Sequence, residues 1–136
     1  MKGIYALLIF LEKDKALKIG MLGKIKFLKG FYIYIGSAQN SLEKRITRHF
    51  SQNKKIRWHI DYLLEYSEIK KVWIKENAIK SEECKTAQIF AKNFCFIPGF
   101  GASDCTCKSH LFYSKKKREI EKILTSLGFR RYRVLK

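Results

Sequence analysis

The sequence predicts an α/β fold of the α+β kind, with a small, mainly antiparallel central sheet of three or more strands flanked by helices. Three segments, residues 2–11, 31–35 and 69–74, have the apolar, aromatic and β-branched composition of buried strands. Between and after them, apolar residues recur at spacings of three and four, which is typical of amphipathic helices. A chain of 136 residues can bury the core of one domain and is too short for two ordinary ones.

The first thirty residues predict a strand followed by a hairpin. Residues 2–11 form a near-continuous apolar run, so they should make a central strand that is covered on both faces. Residues 16–20 and 24–28 are short strand candidates joined at 21–23, which predicts a small hairpin that extends the sheet. The glycines of this region serve its turns, because their spacing does not fit a nucleotide-binding fingerprint.

The second strand is expected to lead directly into a helix. Residues 31–35 predict the strand, Gly36 is expected to break it, and Asn40 or Ser41 is a suitable N-cap for the helix that follows. The apolar stripe of that helix has four-residue spacing and consists of Leu42, Ile46 and Phe50.

Two polar side chains beside this stripe indicate an anion site. Arg45 and His49 are four residues apart, so they lie one helical turn from each other. A glycine turn at Gly36 and Ser37 that leads into a helix N-terminus presents free N–H groups and the positive end of the helix dipole. With Arg45 nearby, the expected anion is a phosphate group.

The charge of the chain indicates the class of its partner. Lysine and arginine number 29 against 12 acidic residues, which gives a formal net charge of +17. Such a balance attracts polyanions, of which nucleic acid is the commonest, whereas the alternative is a solvated, lysine-rich surface. No basic helix with a broad apolar face is evident, which argues against a membrane surface. Candidate phosphate-binding cations beside Arg45 are Lys54, Lys55, Arg57, Lys116, Arg118, Arg130 and Arg131.

A short helix is predicted at residues 58–64. Trp58 mixes with neighbouring cations in a way that would suit base stacking, but a packed tryptophan is the favoured interpretation. His59 and Asp61 are two residues apart and would meet only awkwardly on a helix, so they are left without a role, and a structural histidine is favoured over a catalytic one.

The third predicted strand is followed by a helix with acidic residues in its first turn. Residues 69–74 return to strand composition, and Ser81 is the expected N-cap of the helix that follows. Glu82 and Glu83 would occupy its first turn, where the dipole favours acidic side chains. Glu83 lies one turn before the inward-facing Ala87, whereas Glu82 projects elsewhere.

A loop near the C-terminus contains possible metal ligands. Cys105, Cys107 and His110 offer two thiols and an imidazole within one short turn, and Cys84 or Cys95 is the candidate for a fourth ligand. The spacing is not that of a usual zinc knuckle. Buried structural thiols are therefore the default interpretation, and a zinc site is the alternative.

The remainder of the chain predicts an edge strand and a final helix. Asp104 and Ser109 are expected to fix the preceding turn by side-chain hydrogen bonds to the backbone. Residues 110–113 are expected to add an edge strand, and the helix should run over 114–127 and end at Gly128. Residues 115–118 crowd its first turn with cations, which the helix dipole disfavours.

Two tripeptides, read in order, carry a family resemblance. Gly3-Ile4-Tyr5 opens the chain, and Tyr34-Ile35-Gly36 closes the second strand, before Ser37, Leu42, Arg45 and His49. Together they resemble the GIY-YIG nuclease family over residues 3 to about 83. The hairpin at 12–30 is an insertion between the motif halves. The resemblance implies one such domain over residues 1–136, with a core at 3–94 and a C-terminal extension at 95–136.

The resemblance also implies a chemistry. A divalent ion, Mg²⁺ or Mn²⁺, would be held by Glu83, with Glu82 as the fallback, while Arg45 would clamp a phosphate oxygen. Tyr5 is the implied general base, and Tyr34 would position the water or the phosphate. A tyrosine begins at a pKa of about 10, so Arg45 and the metal would have to depress it. His49 would orient Tyr5 or take the proton in its place, and a surface histidine at the C-terminus of the helix is the alternative interpretation.

The expected function is metal-dependent cleavage of DNA, with RNA as the second possibility. The chain has no room for a recognition domain, so it should choose targets by structure or through a protein partner. The alternatives are a non-catalytic nucleic-acid-binding module and a zinc-stabilised interaction domain. No signal peptide and no stretch long enough to cross a membrane is evident, so a cytoplasmic location is expected.

Overall fold

The computed structural model describes residues 1–103 and 105–134. This part of the chain contains eight strands and four α-helices. The strands are β1 (Gly3–Leu11), β2 (Lys15–Lys18), β3 (Lys24–Phe27), β4 (Gly30–Ala38), β5 (Glu68–Glu76), β6 (Cys95–Phe96), β7 (Leu111–Ser114) and β8 (Arg130–Tyr132). The helices are α1 (Leu42–Phe50), α2 (His59–Leu64), α3 (Lys80–Asn93) and α4 (Lys117–Ser126).

The main sheet has six strands in the order β6-β7-β4-β1-β5-β8, and every neighbouring pair is antiparallel. The predicted fold class is therefore confirmed. β1 lies at the centre because its apolar run can be buried on both faces. Its residues face two separate cores, with Tyr5 and Leu7 in one and Ile4 and Ala6 in the other.

Helices cover both faces of this sheet. Buried residues of α1 and α2 share a core with Tyr5, whereas buried residues of α3 and α4 share the core on the opposite face. In the described residues no helix is long and apolar enough to span a bilayer.

The predicted hairpin is present, but it does not extend the main sheet. β2 and β3 pair only with each other and form a separate two-stranded sheet. The reason is packing: Leu17 and Phe27 are buried, and the ring of Phe27 lies 5.9 Å from that of Tyr32 and 6.3 Å from that of Phe100. The hairpin therefore covers a face of the main sheet instead of adding to an edge.

Gly36 does not break the second strand, so that prediction is wrong. β4 continues to Ala38, and Gly36 pairs across the sheet with Tyr5. A Cβ atom at Gly36 would lie 2.5 Å from both Cζ and Oη of Tyr5, so glycine is needed for close approach of the ring. The helix N-cap is Ser41, whose hydroxyl accepts a 3.2 Å hydrogen bond from the Lys44 N–H.

The start of α3 and the place of β7 also differ from the predictions. The chain turns at Asn77, which has a φ of 63°, and α3 begins at Lys80 with Ile79 as its N-cap, so Ser81 lies inside the helix. β7 is not an edge strand, because the two-residue β6 pairs along its outer side.

α4 is shorter than predicted at its N-terminus. Ser114 belongs to β7, and its hydroxyl bonds the Lys116 backbone, so the helix starts only at Lys117. Gly128, with a φ of 89°, ends it as predicted.

Candidate functional site

A cavity of about 700 Å³ lies at the end of the sheet where β1 begins and β4 ends. Side chains from four different elements meet there: Tyr5 from β1, Tyr34 from β4, Arg45 from α1 and Glu83 from α3. Gly36 and Ser37 line it as well. The structure thus brings together the residues that the two tripeptides and the two helices contribute separately along the sequence.

His49 lies behind this lining and contacts Tyr5. Its Nε2 is 2.6 Å from Oη of Tyr5, and both side chains are almost fully buried. Burial lowers the pKa of His49 to about 3, so the imidazole is neutral, and its tautomer sets which of the two groups donates in this hydrogen bond. The Nδ1 atom is buried without a hydrogen-bond partner among the described residues.

The pKa of Tyr5 moves in the opposite direction to the expected one. Burial raises it, and the nearby Arg45 guanidinium lowers it only in part. Burial and the neighbouring Tyr5 likewise raise the pKa of Tyr34, whose ring centroid is 6.4 Å from that of Tyr5. In this protein the expected depression of the Tyr5 pKa by Arg45 is therefore outweighed by burial.

The side chain of Arg45 is held in place by a backbone carbonyl and by an aromatic ring. Its Nη1 donates a 3.0 Å hydrogen bond to the Ser37 carbonyl, and Cζ lies 4.5 Å from the Trp58 ring centroid. Arg48 lies 4.2 Å from the same ring. Trp58 packs against the core, as favoured from the sequence, but it also lines the cavity beneath these guanidinium groups.

The buried ion pair of Arg48 and Asp61 is not foreseen from the sequence. Asp61 is fully buried and accepts two 3.0 Å hydrogen bonds from the Arg48 guanidinium, together with the N–H groups of Arg57 and Trp58. Burial alone would raise the pKa of Asp61, and these hydrogen bonds bring it below its ordinary value. Asp61 therefore stays ionised and fixes Arg48 beside Trp58.

Glu83 reaches the cavity and makes a contact that the sequence does not reveal. Its Oε2 is 3.0 Å from Nδ1 of His110, which also lies 3.2 Å from the Ile35 carbonyl. Burial alone would lower the pKa of His110, but the Glu83 and Cys105 side chains raise it to about 9. Glu82, the fallback, points away and pairs with Lys75 at 3.8 Å.

The four cysteines are buried to different extents. Cys84, Cys105 and Cys107 are partly buried, with Cys107 packed against the core beneath α3 and α4, whereas Cys95 is exposed in β6, so none of the four is fully buried. The ligand atoms of Cys84, Cys105, Cys107 and His110 all lie within 4.8 Å of one another. Cys84, and not Cys95, is therefore the fourth member of this group.

The turn that carries these cysteines is fixed partly as expected. The Ser109 hydroxyl accepts a 3.0 Å hydrogen bond from the Leu111 N–H. Asp104 lies outside the described residues. Burial raises the pKa of Cys107, whereas hydrogen bonds from Cys107 and His110 outweigh burial at Cys105 and lower its pKa.

The predicted phosphate-binding cations divide into a group at residues 54–57, in or near the cavity, and a C-terminal group outside its lining. Arg57 lines the cavity, whereas Lys54 bonds the carbonyls of His49 and Ser51 at the end of α1, and Lys55 is exposed nearby. The C-terminal cations lie away from the cavity: Lys116 and Arg118 at the start of α4, Arg130 in an ion pair with Glu76, and Arg131 over the Trp73 ring.

The cavity is nonetheless strongly cationic. Among the described residues that line it, Glu83 is the acidic one, and the cations are Lys44, Arg45, Arg48, Arg57 and Lys80.

Comparison with known proteins identifies a family. Residues 4–131 match the family described as "Domain of unknown function DUF123". No curated protein and no solved structure matches the chain. Because the match spans nearly the whole sequence, the chain belongs to the DUF123 family.

Proposed function

We propose that this protein is a divalent-metal-dependent endonuclease that hydrolyses phosphodiester bonds in nucleic acid, DNA ahead of RNA. One observation carries the proposal: Tyr5, Tyr34, Arg45 and Glu83 line one cationic cavity although they come from four elements. These are the residues that the resemblance to the GIY-YIG nuclease family singles out. A binding surface alone would not require two buried tyrosines and a carboxylate to converge among the cations.

Arg45 is the group best placed to bind the scissile phosphate. The hydrogen bond to Ser37 and the stacking on Trp58 fix its planar fork, so little side-chain freedom is lost when a phosphate oxygen is bound. A fixed guanidinium stabilises the charge that develops on the phosphate oxygens in the transition state.

The Tyr5–His49 pair supplies a directed hydrogen-bond acceptor. In the tautomer that carries its proton on Nδ1, the neutral Nε2 of His49 accepts the phenol proton, and the Tyr5 oxygen can accept a hydrogen bond from a water molecule in the cavity. If that oxygen takes the proton of the attacking water, its own proton passes to Nε2 of His49, and the imidazolium that forms is short-lived because burial disfavours its charge. This step keeps the proton count balanced without requiring a free phenolate.

Glu83 is suited to hold a divalent ion. Mg²⁺ prefers carboxylate oxygen, keeps several of its waters and is often bound through one or two carboxylates, and a cavity of about 700 Å³ has room for such a hydrated ion. Mg²⁺ or Mn²⁺ bound there would neutralise charge on the phosphate and assist the leaving oxygen. The His110 contact restricts the orientation of the Glu83 carboxylate.

Target choice is expected to depend on nucleic-acid structure or on a protein partner. Cations that line the cavity, such as Lys44, Arg45 and Arg57, would contact backbone phosphate, which positions a nucleic acid without reading its sequence.

The test is a cleavage assay on branched, flapped and single-stranded DNA and RNA, with Mg²⁺, with Mn²⁺ and with chelator. The wild type should give metal-dependent nicks, and Arg45→Ala should reduce the rate about 100- to 1,000-fold. Arg45→Lys should restore little, because an ammonium group lacks the planar fork.

A matched control is Lys44→Ala, which removes a neighbouring cation that lines the same cavity. Its effect should be small beside that of Arg45→Ala. Salt-dependent binding without metal-dependent products on any substrate would contradict the proposal and indicate a binding module.

A further inference from the structure

The segment at residues 97–110 links β6 to β7 without any helix or strand in its described residues. Segments of this length need other contacts to hold one conformation inside a compact domain. Its ends are fixed by backbone hydrogen bonds of 2.8 Å from Gly99 to Lys108 and from His110 to Phe100. Gly101 and Ser103 line the cavity, so the conformation of this segment helps to shape the site.

Four possible metal ligands join this segment to α3. Cys105, Cys107 and His110 come from the segment and its end, and Cys84 comes from the helix. Their ligand atoms all lie within 4.8 Å of one another, and Sγ of Cys105 is 3.3 Å from Nε2 of His110. A tetrahedral zinc site with bonds of about 2.0–2.3 Å separates its ligand atoms by about 3.5–3.8 Å. Small side-chain rotations would therefore complete the site.

The chemistry of the ligands selects the class of ion. Three thiols and one imidazole make a soft Cys₃His set, which favours Zn²⁺ over the oxygen-seeking Mg²⁺. Four protein ligands leave no open position, as in structural sites. We infer that Cys84, Cys105, Cys107 and Nε2 of His110 bind one Zn²⁺ ion, which fastens the 97–110 segment to α3.

The side chain of His110 would link this ion to Glu83. With Nε2 of His110 bound to zinc, Nδ1 carries the remaining proton and donates a hydrogen bond to Oε2 of Glu83, which lies 3.0 Å away. A carboxylate that accepts a hydrogen bond from a zinc-bound histidine fixes the orientation of the imidazole ring, and the same hydrogen bond restricts the orientation of the carboxylate. Zinc would thus orient Glu83. The effect of this orientation on cleavage rests on the proposed function, whereas the inference that zinc binds does not depend on it.

The experiment begins with the zinc content of the tag-free wild-type protein, measured by elemental analysis. We expect one zinc ion per chain, and Co²⁺ exchanged into the protein should give the intense visible and thiolate charge-transfer bands of a tetrahedral thiolate site. Cys105→Ser and Cys107→Ser should lower zinc affinity by about 100-fold or more. The matched control is Cys95→Ser, which changes an exposed thiol outside the group and should keep full zinc content.

Three outcomes would overturn the inference, and the first two are measured on the wild-type protein, so they do not depend on how well a variant folds. Wild-type protein that contains no zinc and gains none on titration with Zn²⁺ would do so, as would a disulfide among the three thiols in mass spectrometry. Equal zinc content in Cys95→Ser and Cys107→Ser would also contradict it. If the zinc is present and the wild type cleaves nothing, the metal site stands and only the proposed function fails.

When cleavage is observed, its rate reports the link to Glu83. Folded Cys107→Ser protein should then lose zinc and cleave more slowly at saturating Mg²⁺, while Cys95→Ser cleaves at the wild-type rate. Unchanged cleavage in zinc-free protein would contradict the orienting role of the ion.

Discussion

The two sides of the cavity are held in place by different means. The tyrosine wall, which we define as the lining residues Tyr5, Tyr34 and Arg45 together with His49 behind them, is carried by two paired strands and the helix that follows them. The glutamate wall, defined as Glu83, His110 and the 97–110 segment, is held by side-chain contacts and by a few backbone hydrogen bonds.

This difference shows which part of the site is preorganised by the fold. The tyrosine wall follows from sheet register and helix packing, so it should form whenever the core forms. The glutamate wall depends on the His110 contacts and on the proposed zinc ion, so it should be the more easily disturbed side. The predictions below separate the two walls.

The largest expected effect is an acid sensitivity that originates in the tyrosine wall. An unfolded chain protonates His49 near pH 6.5, whereas the folded protein keeps it neutral down to a pKa of about 3. The unfolded state therefore binds more protons between these values, and the free energy of unfolding falls as the pH is lowered through that window. Between pH 7 and pH 4 this single group should remove about 3 kcal/mol of stability.

Urea unfolding at both pH values tests this in the wild type and in His49→Gln. The glutamine does not titrate, so the variant should lose about 3 kcal/mol less than the wild type over the same change. Acid effects from Asp61 and other groups are common to both proteins and cancel in the comparison. Equal losses in the two proteins would contradict the buried, neutral state of His49.

A smaller effect is expected from Gly36→Ala. The added Cβ would lie 2.5 Å from Cζ and Oη of Tyr5, so the ring must move away from His49. Overpacking of this kind costs about 1–3 kcal/mol of stability, and cleavage should fall with the loss of the Tyr5–His49 hydrogen bond.

A double-mutant cycle sharpens this prediction. In a Tyr5→Ala background the new methyl group meets no ring, so Gly36→Ala should cost much less in urea unfolding. The same cost in both backgrounds would show that the glycine serves some other purpose.

The sequence predicts the tyrosine wall far better than the glutamate wall. Apolar runs and helical spacing locate β1, β4, β5 and α1, because these elements are long enough to show a period. That Tyr5 meets Glu83 is implied only by the family resemblance, since the two residues are far apart along the chain. β6 and β8 contain two and three residues, too few for any pattern to predict them.

The contacts that complete the site are invisible in the sequence for a similar reason. The Arg48–Asp61 ion pair depends on how α1 and α2 pack, and the Glu83–His110 contact depends on the path of the 97–110 segment. Gly36 misleads because glycine is common in turns, whereas here the close approach of a cross-strand ring requires it inside a strand.

The smallest expected effect distinguishes the cavity cations from the distant ones. Arg57 lines the cavity, whereas Arg118 lies on α4, whose buried residues belong to the core on the opposite face from that of Tyr5. Arg57→Ala should weaken binding to a short DNA several-fold and reduce the slope of affinity against salt by about one phosphate contact. Arg118→Ala should change both quantities less, as measured by fluorescence anisotropy. The reverse order would place the main nucleic-acid contact on α4.

In the proposed reaction both walls act on one phosphate, and two neighbouring glutamates on α3 provide the test of this claim. Glu83→Gln removes the charge that faces the cavity, whereas Glu82→Gln removes one that pairs with Lys75 outside it. Single-turnover cleavage at saturating Mg²⁺ should be lost in Glu83→Gln, while Glu82→Gln cleaves at nearly the wild-type rate. Equal rates in the two variants, or loss only in Glu82→Gln, would contradict the claim.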